Sequence, residues 1–240
     1  MNRYLALAAV LALSLTACGQ QDKKEAAPPP STPTSAPSTT PSDTPSTPAA
    51  PVTRTTAELT EALLGLGDLP NGFSVDKSED DGSKPFSTPS SRCKTLVKYL
   101  NATKAPGSKA SVSRTFTGGQ EGPYIDYGLD SMGTAEDVTD LRDSYAKAVD
   151  SCTKVSLRTE GAGNTSMKVE KITAPAYGTK PFAFRLTGTS GPKRGLEYAA
   201  LVTGVGDVIL SVGVLAGQGT ELDPATEAAV TKARQVLEPA

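Results

Sequence analysis

The chain has 240 residues, a formal net charge of −2, three cysteines, no histidine and no tryptophan. So slight a charge provides no field to gather nucleic acid or anionic lipid. Without an imidazole, Ser-His-Asp and Cys-His nucleophile systems and the common catalytic zinc sites cannot be assembled.

The chain opens with Asn2-Arg3 and then an apolar stretch from Tyr4 to Leu15. That stretch is too short to cross a hydrocarbon core of ~30 Å, which takes about 20 helical residues. A basic front, a short apolar run and small residues behind it read as a secretory leader over residues 1–17. Leu15-Thr16-Ala17-Cys18 resembles the bacterial lipobox. The resemblance implies cleavage before Cys18 and thioether attachment of diacylglycerol, with acyl chains of the palmitate type, to its sulfur, which would anchor the chain on the outer face of the cell membrane. Each buried methylene contributes ~0.8 kcal/mol to such an anchor. The competing reading is an ordinary cleavage site with a coincidental cysteine.

Residues 18–53 read as a linker. From residue 28 to residue 51 the chain holds only Pro, Ser, Thr, Ala and one Asp. No apolar period exists there to offset the entropy of ordering, so the segment is expected to be disordered. Its prolines bias it to extended polyproline II, with a reach on the order of 100 Å.

Arg54 to Ala240 is long enough for one domain with a sizeable core. Thr55-x-x-Glu58 predicts a capped helix carrying Leu59, Leu63 and Leu66. Ser91 can cap a second, with Cys93, Leu96, Val97 and Leu100 on its stripe. Thr134-Ala-Glu-Asp137 starts a third, whose Val138, Leu141, Tyr145, Val149 and Cys152 recur at three- and four-residue spacing. Asp223-Pro224 starts the last, through Val230, Ala233 and Leu237. In an exported chain Cys93 and Cys152 are expected to pair, although two buried thiols are the alternative.

Between the helices run alternating segments. Val112 and Phe116 share one face of the first, and Ile125, Tyr127 and Leu129 mark the next. Val155 with Leu157, Met167 with Val169, and Phe182 to Leu186 follow. Leu196 to Val202 and Val208 to Val214, joined by Thr-Gly-Val-Gly-Asp, read as a hairpin. The expected class is α+β, an antiparallel sheet with helices packed on one face.

Leu63-Leu-x-Leu-x-Asp-Leu-Pro-x-Gly-Phe73, the helical Cys93, a later helix ending in Cys152, and Gly206-Asp-Val-Ile-Leu-Ser-Val212 before a last helix form a recognisable order. They resemble the extracellular sensor-type domain of actinobacterial Ser/Thr kinases of the PknH type and its free lipoprotein relatives. The resemblance implies an antiparallel sheet, packed helices and a cleft for an unidentified ligand. That family usually carries two disulfides, whereas only one pair of cysteines remains here once Cys18 is lipidated.

Other chemistry is sparse. Three S-x-x-K spacings occur, Ser91/Lys94, Ser151/Lys154 and Ser190/Lys193, but without the S-D-N and K-T-G partners of serine–lysine acyl enzymes. Asp76-x-Ser78-x-Asp80-Asp81-Gly82 lacks the glycine and glutamate positions of a calcium loop. Gly161-Ala-Gly163-Asn164 lacks the end of a phosphate loop and reads as a connection. The aromatic residues are too few for a nucleobase platform. Arg114 shares a strand face with Val112 and Phe116, so it is either paired there or placed at a pocket mouth as a ligand-binding, anion-recognising group. Arg185, opposite the Phe182/Phe184/Leu186 face, reads as exposed.

The reading is an extracytoplasmic lipoprotein whose domain, residues 54–240, binds a small-molecule, lipid or envelope ligand. No catalysis, cofactor, metal or nucleic acid is expected. The alternatives are a protein-interaction scaffold and, weakest, a serine–lysine hydrolase. A scaffold predicts an exposed apolar patch and no pocket.

Overall fold

The computed structural model describes residue 51, residues 54–77 and residues 82–238. The expected leader, Cys18, most of the linker and residues 78–81 of the acidic turn lie outside the described residues. In chain order come α1 (Thr56–Ala62), β1 (Ser74–Val75), β2 (Phe86–Ser87), a 3-10 turn (Ser91–Cys93) running into α2 (Lys94–Leu100), β3 (Ala110–Thr117), β4 (Tyr124–Ser131) and α3 (Ala135–Asp150). Then follow β5 (Lys154–Thr159), β6 (Gly163–Ile172), β7 (Thr179–Ser190), β8 (Glu197–Val205), β9 (Val208–Leu215) and α4 (Leu222–Leu237). All nine strands form one sheet in the order β1-β3-β4-β9-β8-β7-β6-β5-β2. Every neighbouring pair is antiparallel.

The α+β class and the antiparallel sheet agree with the sequence reading. The helices, however, divide between both faces rather than gathering on one. Successive side chains of a strand point to opposite faces, and both phases of the central strands are apolar. Leu201, Leu210, Val212 and Val214 enter one core with α1 and α4, while Ala200, Val202 and Ile209 enter a second with α2 and α3. Leu201 and Leu210 are 0% and 1% exposed, and burial of such a side chain contributes roughly 2 kcal/mol. A sheet apolar in both phases needs cover on both sides.

Local signals set the ends of the elements. Thr55 caps α1 with a reciprocal box, its hydroxyl accepting from Glu58 N at 3.2 Å and its N–H donating to Glu58 Oε2 at 2.7 Å. The helix stops at Ala62, so Leu66 falls in a separate 3-10 turn (Leu66–Asp68) and is 48% exposed instead of extending the α1 stripe. Thr134 caps α3, accepting from Asp137 N at 3.0 Å. Ser91 lies inside the 3-10 turn rather than capping α2. Helix α4 begins at Leu222, ahead of Asp223-Pro224, and the Glu221 carboxylate before it accepts from Gln218 N and Thr220 N at 2.9 and 3.0 Å, fixing the approach to the helix. The β8–β9 loop shrinks to Gly206-Asp207, since Val205 pairs with Val208. Gly206 takes a φ of +56° there, a conformation glycine adopts without cost.

Two long-range ties close the domain. Cys93 and Cys152 are disulfide-bonded, with 2.08 Å between the sulfurs, across a sequence separation of 59. Loop closure of that length stabilises the fold by ~4 kcal/mol on the chain-entropy account. At the other end of the second core, Arg54 donates to Asp207 Oδ1 from Nε at 3.0 Å and Nη2 at 2.9 Å, and Nη2 also meets Leu237 O at 3.0 Å. Asp207 Oδ2 accepts from Ser131 Oγ at 3.0 Å. Arg54 thus meets the end of α4 at the β8–β9 turn.

Candidate ligand-binding cavity

The sheet face under α2 and α3 is unevenly filled. Over β5 to β8 the positions aimed at the helices are large, among them Met167, Phe182, Phe184 and Leu186. On β4 and β9 the same face presents Asp126, Gly128, Ser211 and Gly213, which stand opposite one another as Asp126↔Gly213 and Gly128↔Ser211. A Cβ on Gly128 would lie 2.6 Å from Ser211 Oγ, and one on Gly213 would lie 2.5 Å from the Tyr198 hydroxyl. Ser211 and the Tyr198 ring therefore occupy the space over the two glycines, and a hollow lies beside them.

The hollow is a cavity of about 440 Å³, bounded by Asp126, Ser211 and Gly213 below and by Phe86, Tyr99 and Leu100 from β2 and α2. Its size and largely apolar lining suit a small organic ligand. Along one side runs a line of rings, of which Tyr99, Tyr145, Phe184 and Tyr198 line the cavity. Tyr99 stacks on Tyr145 at 4.0 Å, Tyr145 neighbours Phe182 at 6.3 Å, Phe182 neighbours Phe184 at 6.3 Å, and Phe184 meets Tyr198 edge-on at 6.4 Å. The disulfide fixes the turn before α2 to the loop between α3 and β5, and so holds together the two helices on this face.

The polar groups are few and unusually placed. Asp126 is half-buried and accepts from Thr115 Oγ1 at 2.7 Å. Burial pushes its carboxyl above the usual aspartate range; the Thr115 bond opposes this and the Asp76 carboxylate adds to it. Burial likewise raises Tyr198 and Tyr145, reinforced by Asp126 and Asp130 respectively. Both phenols therefore stay protonated and can donate. No Lys or Arg is among the residues lining the cavity.

The residues singled out in the sequence fall elsewhere. Arg114 does share a face with Val112 and Phe116, but that is the α1/α4 face, opposite the cavity. Its Nη1 donates to Leu64 O at 2.5 Å beside Asp68, which also pairs with Lys232. It fastens the segment after α1 and recognises no ligand in the cavity. Arg185 is half-buried rather than exposed, with Nε 3.7 Å from the Glu197 carboxylate. The members of the three Ser/Lys pairs are all exposed, and Ser151 Oγ donates to Lys147 O at 2.7 Å. None of these lysines has the desolvation that makes an amine a base. Gly161 to Gly163 form the β5–β6 hairpin connection. Among the described residues no group of three or more His, Cys, Asp or Glu could hold a metal ion, and no helix is long and apolar enough to cross a membrane.

Sequence reasoning missed Asp126, Ser211, Gly213 and Tyr198. The signal was the other phase of two strands already recognised. Beside Ile125/Tyr127/Leu129 runs Asp126-x-Gly128-x-Asp130, and beside Leu210/Val212/Val214 runs Ser211-x-Gly213. Small and polar residues repeating on the face of a central strand mark a place where nothing packs.

The chain matches no protein-family model, and no curated protein matches it. It is similar to the crystal structure of the extracellular domain of PknH from Mycobacterium tuberculosis, with a TM-score of 0.58 over 78% of this chain and 98% of that one. The two share a fold. At 16% sequence identity the likeness to the PknH domain is one of architecture, and it agrees with the element order noted in the sequence.

Proposed function

We propose that the chain is an exported lipoprotein, anchored to the extracytoplasmic face of the membrane through lipid on Cys18, whose folded domain binds a ligand without transforming it. The single observation that carries this reading is the cavity of about 440 Å³ between the sheet and α2/α3. The fold shared with an extracellular kinase domain supports a sensor-like role outside the cell, and the lipobox-like Leu15 to Cys18 supports the anchor. The exposed Ser/Lys pairs lend nothing to a hydrolase. A scaffold would present an exposed apolar patch, and Leu66 is the sole exposed large hydrophobic among the described residues.

Native mass spectrometry of the chain, recovered from its own envelope without denaturation, tests the proposal. The expected result is a discrete added mass of small-molecule size, lost on unfolding and absent when Gly213 is replaced by a large residue. An added mass equal to one protein partner, with no small-molecule adduct, would move the scaffold reading to the front.

A further inference from the structure

We infer that the cavity takes a small organic cation, an amine or quaternary ammonium on an apolar or aromatic body, with its charge set against Asp126 and the phenol rings around it. The inference rests on the reading of this cavity as the ligand site and adds the class of ligand.

Three observations converge on that charge. First, among the described residues Asp126 on the cavity floor takes one hydrogen bond, from Thr115 to Oδ1, and forms no ion pair with a Lys or Arg. A half-buried anion without a counter-ion costs free energy that an incoming cation would recover. Second, the wall beside it is aromatic. Tyr198 projects over Gly213, the residue directly across from Asp126, and Tyr145 and Tyr99 stack further along the same lining. Ring faces carry negative potential and attract ammonium groups, most strongly where water is excluded. Third, the floor beside Asp126 is made of small residues. Ser211 and Gly213 line it, and the space over Gly213 is taken by the Tyr198 phenol, which brings that ring close to the carboxylate. An anionic ligand, by contrast, would enter a hollow lined by a carboxylate with no cation to receive it.

Three probes of one shape distinguish the possibilities: 2-(2-naphthyl)ethylamine, 2-(2-naphthyl)ethanol and 2-naphthylacetate. They would be titrated by calorimetry into the full chain carrying Cys18→Ser, so that neither lipid nor detergent competes. Backbone amide shifts at Asp126, Ser211 and Gly213 locate the binding. The amine should bind about tenfold tighter than the alcohol, and the alcohol tighter than the acid. Asp126→Asn, nearly isosteric and still able to accept from Thr115, should bring the amine down to the alcohol while leaving the alcohol unchanged. If the alcohol or the acid equals the amine in the unaltered cavity, the cation inference is overturned and the cavity reading survives. If no probe shifts those amides, the cavity reading itself fails and the inference falls with it.

Discussion

Replacing Asp207 by alanine tests how the folded unit is fastened. The Asp207 carboxylate is 5% exposed and receives two bonds from Arg54 on Oδ1 and one from Ser131 on Oδ2. Removing it leaves the Arg54 guanidinium, 16% exposed, with Leu237 O as its remaining partner, and leaves the Ser131 hydroxyl, on a fully buried residue, without its acceptor. Breaking a buried pair costs about 3–5 kcal/mol because the surviving charge is uncompensated. The partial exposure of Arg54 puts Asp207→Ala near the lower end, ~3 kcal/mol, or a fall in Tm of roughly 6–12 °C for a domain of this size. Urea denaturation should show a lower midpoint at unchanged m-value. Arg54→Met alone should also destabilise, and the double variant should cost at least ~1 kcal/mol less than the sum of the two. A loss below ~1 kcal/mol for Asp207→Ala, or strict additivity, would refute the view that this pair closes the fold.

Reducing the disulfide, or Cys93→Ser with Cys152→Ser, should cost ~4 kcal/mol in urea denaturation and speed amide exchange across α2 more than across α4. Asp126→Asn should make the chain more stable at pH 7. Its folded pKa is raised, so the stability of the unaltered protein is full below the unfolded value and is lost as pH rises through the folded one. The gap in urea midpoints should therefore close as pH falls towards the ordinary value of 3.8, and a gap that widens on acidification would contradict the assignment. Cys18→Ser should move the chain from the membrane fraction to the soluble fraction. Retention on the membrane would dispose of the lipid anchor.

Much of the scaffold was legible because it is written in short-range patterns. The capping residues Thr55 and Thr134 and the alternation of Ile125, Tyr127 and Leu129 predict their elements without help from the rest of the chain. Helices on both faces were legible too, in the adjacency of Leu201 with Val202 and of Ile209 with Leu210, had both phases been weighed. Strands β1 and β2 were not, since two residues have no period and both form by docking onto distant partners, Ser74 on Thr117 and Phe86 on Leu157. Arg114 shows the same limit from the side of function. Its strand face could be read locally, but its partner Leu64 lies 50 residues away, and that contact decided between pairing and recognition. The cavity was the hardest to see, because it is lined mostly by apolar side chains from β2, α2 and strands β5 to β9 that no local pattern brings together, rather than by a cluster of reactive ones.

The meeting of Arg54 with Leu237 has a mechanical consequence. Arg54 and Leu237 meet at one corner, at the Gly206-Asp207 turn, while Gly213 and the cavity floor lie farther along β9, roughly 17 Å away at about 3.4 Å per residue. A tension applied through the residues before Arg54 would load the clasp at that corner, and the sheet beyond it would turn as one body about a single pivot. Its far end, with the cavity, would sweep the surrounding space without being stretched.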